Sequence, residues 1–111
     1  MTTLGFSIEV DATTGAPAVL VRGELDMSAA PSLLDALASA APSDATLMVD
    51  LGEVTFIDST AIGALVEAGQ ARAAAGGRLQ LGPRSAVVAR VLELVGLAET
   101  TEAFDVLPER A

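Results

Sequence analysis

Three consecutive polar residues, Asp58-Ser59-Thr60, separate the apolar run Leu47–Ile57 from the segment Ala61-Ile62-Gly63-Ala64-Leu65-Val66. The first run reads as a buried strand and the second as the opening of an amphipathic helix, so the pattern predicts a hydroxyl in a first helical turn. Unpaired backbone N–H groups and the positive end of the helix dipole favour negative charge there. A serine so placed can cap the helix, or it can accept a phosphoryl group without unfolding the chain. A third use, as a covalent nucleophile, needs a base to activate it.

The composition removes that third use. The 111 residues include no Cys and no His, and the six basic residues are all Arg. Imidazole acid–base chemistry, thiolate attack, Schiff-base chemistry and the phosphate-gripping lysine of a P-loop are therefore absent. A zinc site would have to be built from carboxylates alone. A phosphoaspartate receiver would need an acidic pair after its first strand and a lysine further on, and neither is present. No enzyme activity, cofactor, metal or small-molecule substrate is expected. The net charge of −9 and an aromatic content of 3% argue against nucleic acid, which is held by clustered cations and stacked rings. No stretch has the length of a membrane helix and no targeting signal is visible, so the expected location is the cytosol and no membrane partner is expected.

The elements that must position Ser59 follow from periodicity. Phe6, Ile8 and Val10 alternate with polar residues as in a half-buried strand, and Ala18–Val21 resumes after turn residues at 11–15, which predicts an antiparallel hairpin. Gly23-Glu24-Leu25-Asp26 closes the second strand. Ser28 is the expected N-cap of a helix with Pro31 in its first turn, with Leu33, Leu34, Leu37, Ala38 and Ala41 on one face and Pro42 at its end. The strand at 46–51, apolar on both faces except at Asp50, suits a central position covered by helices. A helix from about Ser59 to Ala75 stops at Gly76-Gly77, a short strand follows at Arg78–Leu81, and a third helix carries Val87, Val88, Val91, Leu92 and Val95 as a core stripe before Gly96. Phe104 and Val106 alternate as in an edge strand. The expectation is one α/β domain over residues 1–111, a mixed and mostly parallel sheet packed with helices.

With that order in place, two segments resemble the STAS-domain family, and most closely its stand-alone bacterial anti-sigma factor antagonists: Gly23-Glu24-Leu25-Asp26, and Val49-Asp50-Leu51 through Val54-Thr55-Phe56-Ile57-Asp58-Ser59-Thr60-Ala61-Ile62-Gly63-Ala64-Leu65. The order of elements agrees up to about Leu97. The resemblance implies a STAS-like fold and a non-catalytic protein that binds an anti-sigma factor, often a serine kinase of the GHKL type, and so frees a sigma factor. It also implies that the kinase phosphorylates the serine after the aspartate, here Ser59, and that a PP2C-type phosphatase reverses this.

On that basis Ser59 is the expected phosphoacceptor, with Asp26, Asp58, Thr60, Ala61 and Gly63 as expected partner-binding residues. Asp58 either orients Ser59 or contacts the kinase, or else it caps the helix and complements its dipole. Asp26 either closes the loop before the first helix or lies on the partner face. Glu24 is a solvated charge, and Asp50 sits at an exposed strand end or accepts hydrogen bonds from the switch loop. Ala61 is expected on the helix surface, Ile62 in the core, and Gly63, which costs about 1 kcal/mol relative to Ala, marks close packing or close partner approach. The chain departs from the family pattern in having Ala61 where glycine is common, and in having only residues 108–111 where a last helix usually follows. These departures leave room for an alternative, a STAS regulatory or scaffold subunit without a phosphoswitch, for example of a lipid-transport ABC system. Direct nucleotide binding has no Gly-rich phosphate loop to rest on.

Overall fold

A computed structural model describes residues 5–11 and 16–108. Its elements, in order, are β1 (Phe6–Asp11), β2 (Ala18–Leu25), α1 (Ala30–Ser39), β3 (Thr46–Ile57), α2 (Ser59–Ala74), β4 (Arg78–Arg84), α3 (Ala86–Leu94) and β5 (Asp105–Val106). The expected turn at 12–15 and the tail at 109–111 lie outside the described residues.

The five strands lie in sequence order, β1-β2-β3-β4-β5. β1 and β2 form the expected antiparallel hairpin, with Ile8 opposite Val21 and Phe6 opposite Gly23. All later pairs are parallel. The mixed, mostly parallel α/β sheet expected from the sequence is thus what the chain forms.

Sequential order has a consequence for the layers. Right-handed crossovers between successive neighbours return on the same side of the sheet, so the helices gather on one face. Val19, Val21, Leu47, Val49, Leu51, Leu79 and Leu81 point to that face and form one core with Leu33, Leu37, Leu65, Val88, Leu92 and Phe104. The intervening Leu20, Met48, Asp50 and Gln80 are only half-buried. β3 is therefore central but covered on one face alone, which corrects the expectation of a strand enclosed by helices. Beside Leu20 and Met48 the open face carries ion pairs, with Arg22 bridging Glu9 (3.0 Å) and Glu53 (3.3 Å), and Arg78 paired with Asp105 at 2.7 Å.

Helix ends follow local chemistry. Gly76, at φ 94°, ends α2, with its N–H donating to the Ala73 carbonyl and that of Gly77 to the Arg72 carbonyl. The third helix closes in the same way, with the Leu97 N–H on the Leu92 carbonyl at 2.8 Å. Its apolar stripe is not all core, however: Val88 and Leu92 are buried, Val87 and Val91 are half-buried and Val95 is exposed. A nine-residue helix on one sheet face can bury only a narrow arc.

One buried cation joins α2 to the end of α1. Arg72 is 4% exposed, and its guanidinium donates to the carbonyls of Leu37 (2.8 Å), Pro42 (2.6 Å) and Ala45 (3.1 Å). Desolvation pulls its pKa below the ordinary arginine value. The three carbonyls include one from the last turn of α1, where the dipole favours positive charge.

Candidate functional site

The site is built where β2 and β3 end together. Leu25 pairs with Ile57, and the Asp58 N–H continues the ladder by donating to the Leu25 carbonyl at 3.1 Å. Gly23 makes this alignment possible. It takes φ 93°, and a Cβ on it would meet the Gly5 carbonyl oxygen. β2 bends there, with a register shift between Gly23 and Glu24, and carries buried Leu25 and then Asp26 to the edge of the sheet.

Asp58 is the N-cap of α2. Its backbone is extended (φ −114°, ψ 179°), its carboxylate accepts from the Ala61 N–H at 3.0 Å, and its carbonyl accepts from the Ile62 N–H at 3.0 Å. Capping therefore falls to the aspartate, and Ser59 follows as the first helical residue, exposed to solvent. No hydrogen bond among the described residues engages the Ser59 hydroxyl.

Asp26 performs the corresponding task before α1. One carboxylate oxygen accepts from the Ser28 hydroxyl (2.6 Å), the Ser28 N–H (3.0 Å) and the Ala29 N–H (3.3 Å). The Ser28 hydroxyl, followed by these backbone donors, holds the Asp26 carboxyl below its ordinary value despite some opposing desolvation. The expectation of Ser28 as N-cap is corrected: Ala29 occupies that position without a side-chain bond, and Ser28 donates backward to Asp26. The longer reach of the aspartate lets it close the loop from three residues upstream.

Of the other expected site residues, Thr60 and Gly63 are exposed on α2 and border a groove toward α1. Ala61 is 0% exposed, which corrects its placement on the partner-facing surface. As the residue whose N–H is bound by the cap, it points into the core, so its methyl group does not face an incoming protein. Asp50 accepts from the Gly52 N–H at 2.9 Å, within its own strand, and makes no bond to the Asp58-Ser59-Thr60 turn. Glu24 is exposed.

Sequence reasoning passed over two exposed apolar residues at this end, Met27 (70% exposed) and Phe56 (47%). Each carried a signal. Met27 stands between two residues committed to closing a loop, and Phe56 precedes Ile57, so only one of the pair can face the core.

The four arginines whose bonds are defined do not reach this turn: Arg22 and Arg78 hold carboxylates, while Arg72 and Arg84 hold backbone carbonyls. A phosphate on Ser59 would gain the N–H groups of the helix start and would stand beside Asp58. Among the described residues no cluster of His, Cys, Asp or Glu is placed to hold a metal ion, and no helix is long and apolar enough to cross a membrane.

Comparison with known proteins bears on the family and the fold. The family described as Mlab, STAS domain, matches residues 8–108. The crystal structure of an anti-sigma factor antagonist from Mycobacterium paratuberculosis superposes with a TM-score of 0.75 at 26% identity, covering 94% of this chain and 86% of the other. SpoIIAA, an anti-sigma factor antagonist, in its unphosphorylated form gives 0.67 at 23% identity, covering 93% and 90%. The Bacillus cell fate determinant SpoIIAA in the phosphorylated form gives 0.60 at 22%, covering 93% of each chain. No curated protein matches. With the family match spanning residues 8–108 and the mixed sheet and helices agreeing with the fold of the solved relatives, this chain belongs to the STAS domain family.

Proposed function

We propose that this chain, as a single STAS domain in the cytosol, is an anti-sigma factor antagonist. In its unphosphorylated state it binds an anti-sigma factor that is also a GHKL-type serine kinase, and phosphorylation of Ser59 ends that binding. The observation that carries the reading is the division of labour at the turn: Asp58 caps the helix, which leaves the exposed Ser59 hydroxyl uncommitted. Transfer of the γ-phosphoryl group of ATP to the Ser59 oxygen, with loss of the hydroxyl proton and release of ADP, would add about −1.5 to −2 charge. The helix start accommodates that charge, so the fold survives. A partner surface shaped for a neutral hydroxyl would have to desolvate a dianion, and a loss of only ~2.8 kcal/mol is about a hundredfold in affinity. A PP2C-type phosphatase restores the hydroxyl. Asp26, Asp58, Thr60 and Gly63 border the contact.

Incubation with the cognate kinase and ATP is expected to add one phosphate, mapped to Ser59. Ser59→Ala keeps partner binding, whereas Ser59→Asp weakens it at unchanged melting temperature. Equal, wild-type binding by both variants would refute the mechanism.

A second reading, a regulatory or scaffold subunit without a phosphoswitch, is favoured by one observation: the matching family carries the description Mlab. Co-purification from native cells separates the two, because the scaffold reading requires an ABC-type ATPase as the recovered partner.

A further inference from the structure

The first turns of α1 and α2 flank a groove of about 450 Å³, bordered by Met27, Pro31, Leu34, Thr60, Gly63 and Glu67. It continues between the helices toward Arg72 through a second hollow of about 240 Å³ that shares Leu34 and Glu67. Both helices follow parallel strands, so their N-termini lie at the same edge of the sheet, the edge that also holds Asp26 and Ser59.

Gly63 is the informative residue. A glycine inside a helix weakens it, and a structural reason would be a neighbour too close for a Cβ. There is none: a Cβ on Gly63 would meet nothing within 4 Å. Gly69 on the same helix is the opposite case, since a Cβ there would strike the Ala103 backbone. The domain's own packing explains Gly69 and leaves Gly63 without a purpose inside the chain. Beside it, Met27 is held in solvent by a loop that Asp26 closes firmly. Its exposure is therefore built into the fold.

We propose that this groove receives a helix of the anti-sigma factor, packed with a small residue against Gly63, apolar side chains against Met27 and Leu34, and a lysine or arginine toward Glu67. The inference rests on the antagonist reading above and names the surface through which it acts. Charge selects the occupant. Glu67 is exposed and borders both hollows, Asp26 directly precedes Met27 and Asp58 stands two residues before Thr60, while Arg72 is buried with its donors on three carbonyls. The chain as a whole carries −9. A basic amphipathic helix is complementary to such a surface and an acidic one is repelled. Bare backbone at Gly63 lets the two helix axes approach toward the short end of the usual 8–10 Å range, roughly. From Thr60 to Arg72 the groove runs for about 18 Å, the length of roughly twelve helical residues. A phosphate on Ser59, next to Thr60, would sit at its mouth.

The test measures affinity for the purified ATP-binding anti-sigma factor and melting temperature on the same variants. Gly63→Ala is expected to raise the melting temperature by about 4 °C and to weaken binding. Gly63→Leu is expected to bind at least tenfold more weakly with no fall in melting temperature. Met27→Ser is expected to weaken binding similarly, while Leu94→Ser, on the far end of α3, leaves it unchanged. Wild-type affinity in Gly63→Leu overturns the groove. If Gly63→Leu binds normally while Ser59→Asp does not, the groove is wrong and the switch stands. If Gly63→Leu loses binding while Ser59→Asp does not, the groove stands and the switch is wrong.

Discussion

Gly69→Ala tests how the end of the chain is anchored. Gly69 is buried in α2 beneath residues 101–104. A methyl group there would run into the Ala103 carbonyl oxygen and lie 2.8 Å from its carbon. No side-chain rotation relieves the clash, because the obstacle is backbone. That backbone is itself fixed: the Thr101 hydroxyl oxygen accepts from the N–H groups of Ala103 (3.0 Å) and Phe104 (3.3 Å), and the Thr101 N–H donates to the Phe104 carbonyl (2.8 Å). The turn must move as a unit and draw Phe104, fully buried in the core, outward with it. Alanine gains about 1 kcal/mol in helix propensity over glycine. Against this stand about 1–3 kcal/mol for overpacking and part of the roughly 1.5–3 kcal/mol that a buried Phe contributes. The net expectation is a destabilisation of about 2 kcal/mol, or a melting temperature lower by about 8–12 °C. Gly63→Ala on the same helix, with the same propensity gain and no clash, is the internal control and moves upward. Urea and thermal unfolding followed by far-ultraviolet circular dichroism would measure both, since the chain has no Trp or Tyr to report by fluorescence. If Gly69→Ala is as stable as Gly63→Ala, the 101–104 turn does not rest on α2 and the argument fails.

Two further outcomes follow from the carboxylates at the sheet edge. Asp58→Ala removes the acceptor for the Ala61 N–H and is expected to cost about 1 kcal/mol, while Asp58→Asn keeps a capping oxygen and costs a few tenths, roughly; equal losses in chemical denaturation would mean that charge, not the cap, supplies the stability. Asp26 is held below its ordinary value, so the unfolded chain binds a proton there more readily than the folded one. Its contribution is complete above the unfolded value near pH 4 and is lost as pH falls through the lower folded value, roughly. Asp26→Asn is therefore expected to flatten the fall in stability below about pH 4 relative to wild type, as read from unfolding midpoints on acidification.

Much of this fold is legible in residue pattern because its elements are punctuated by strong local chemistry. Alternation marks β1, the pair Gly76-Gly77 ends α2, and Gly96-Leu97 ends α3, each through bonds that only those residue types make easily. The Asp58-Ser59-Thr60 turn is legible for the same reason. What pattern does not convey is depth. Ala61 and Gly63 are both small residues in the first turns of one helix, yet one is sealed in the core and the other faces open space, because α1 and the sheet contact only one side of α2. Leu20 and Met48 are apolar but half-buried, since coverage of the second sheet face is a property of topology and not of the strand. The choice between Asp26 and Ser28 as the closing residue depends on how the Gly23 bend aims the chain, and a capping rule that looks only one residue ahead of a helix does not see it.

The Arg72 guanidinium also sets how the two groove helices can come apart. Its three carbonyl partners lie at the end of α1 and in the connection to β3, so α1 cannot peel from α2 without abandoning a buried cation in an apolar setting. An arginine stays charged across all ordinary pH, which leaves no protonation state in which this latch is cheap to open. Local fraying at the head of α1 is therefore separated from release at its tail. Amide protons late in α1 and around Arg72 are therefore expected to exchange together, in the opening event of the whole core, as native-state hydrogen exchange would read.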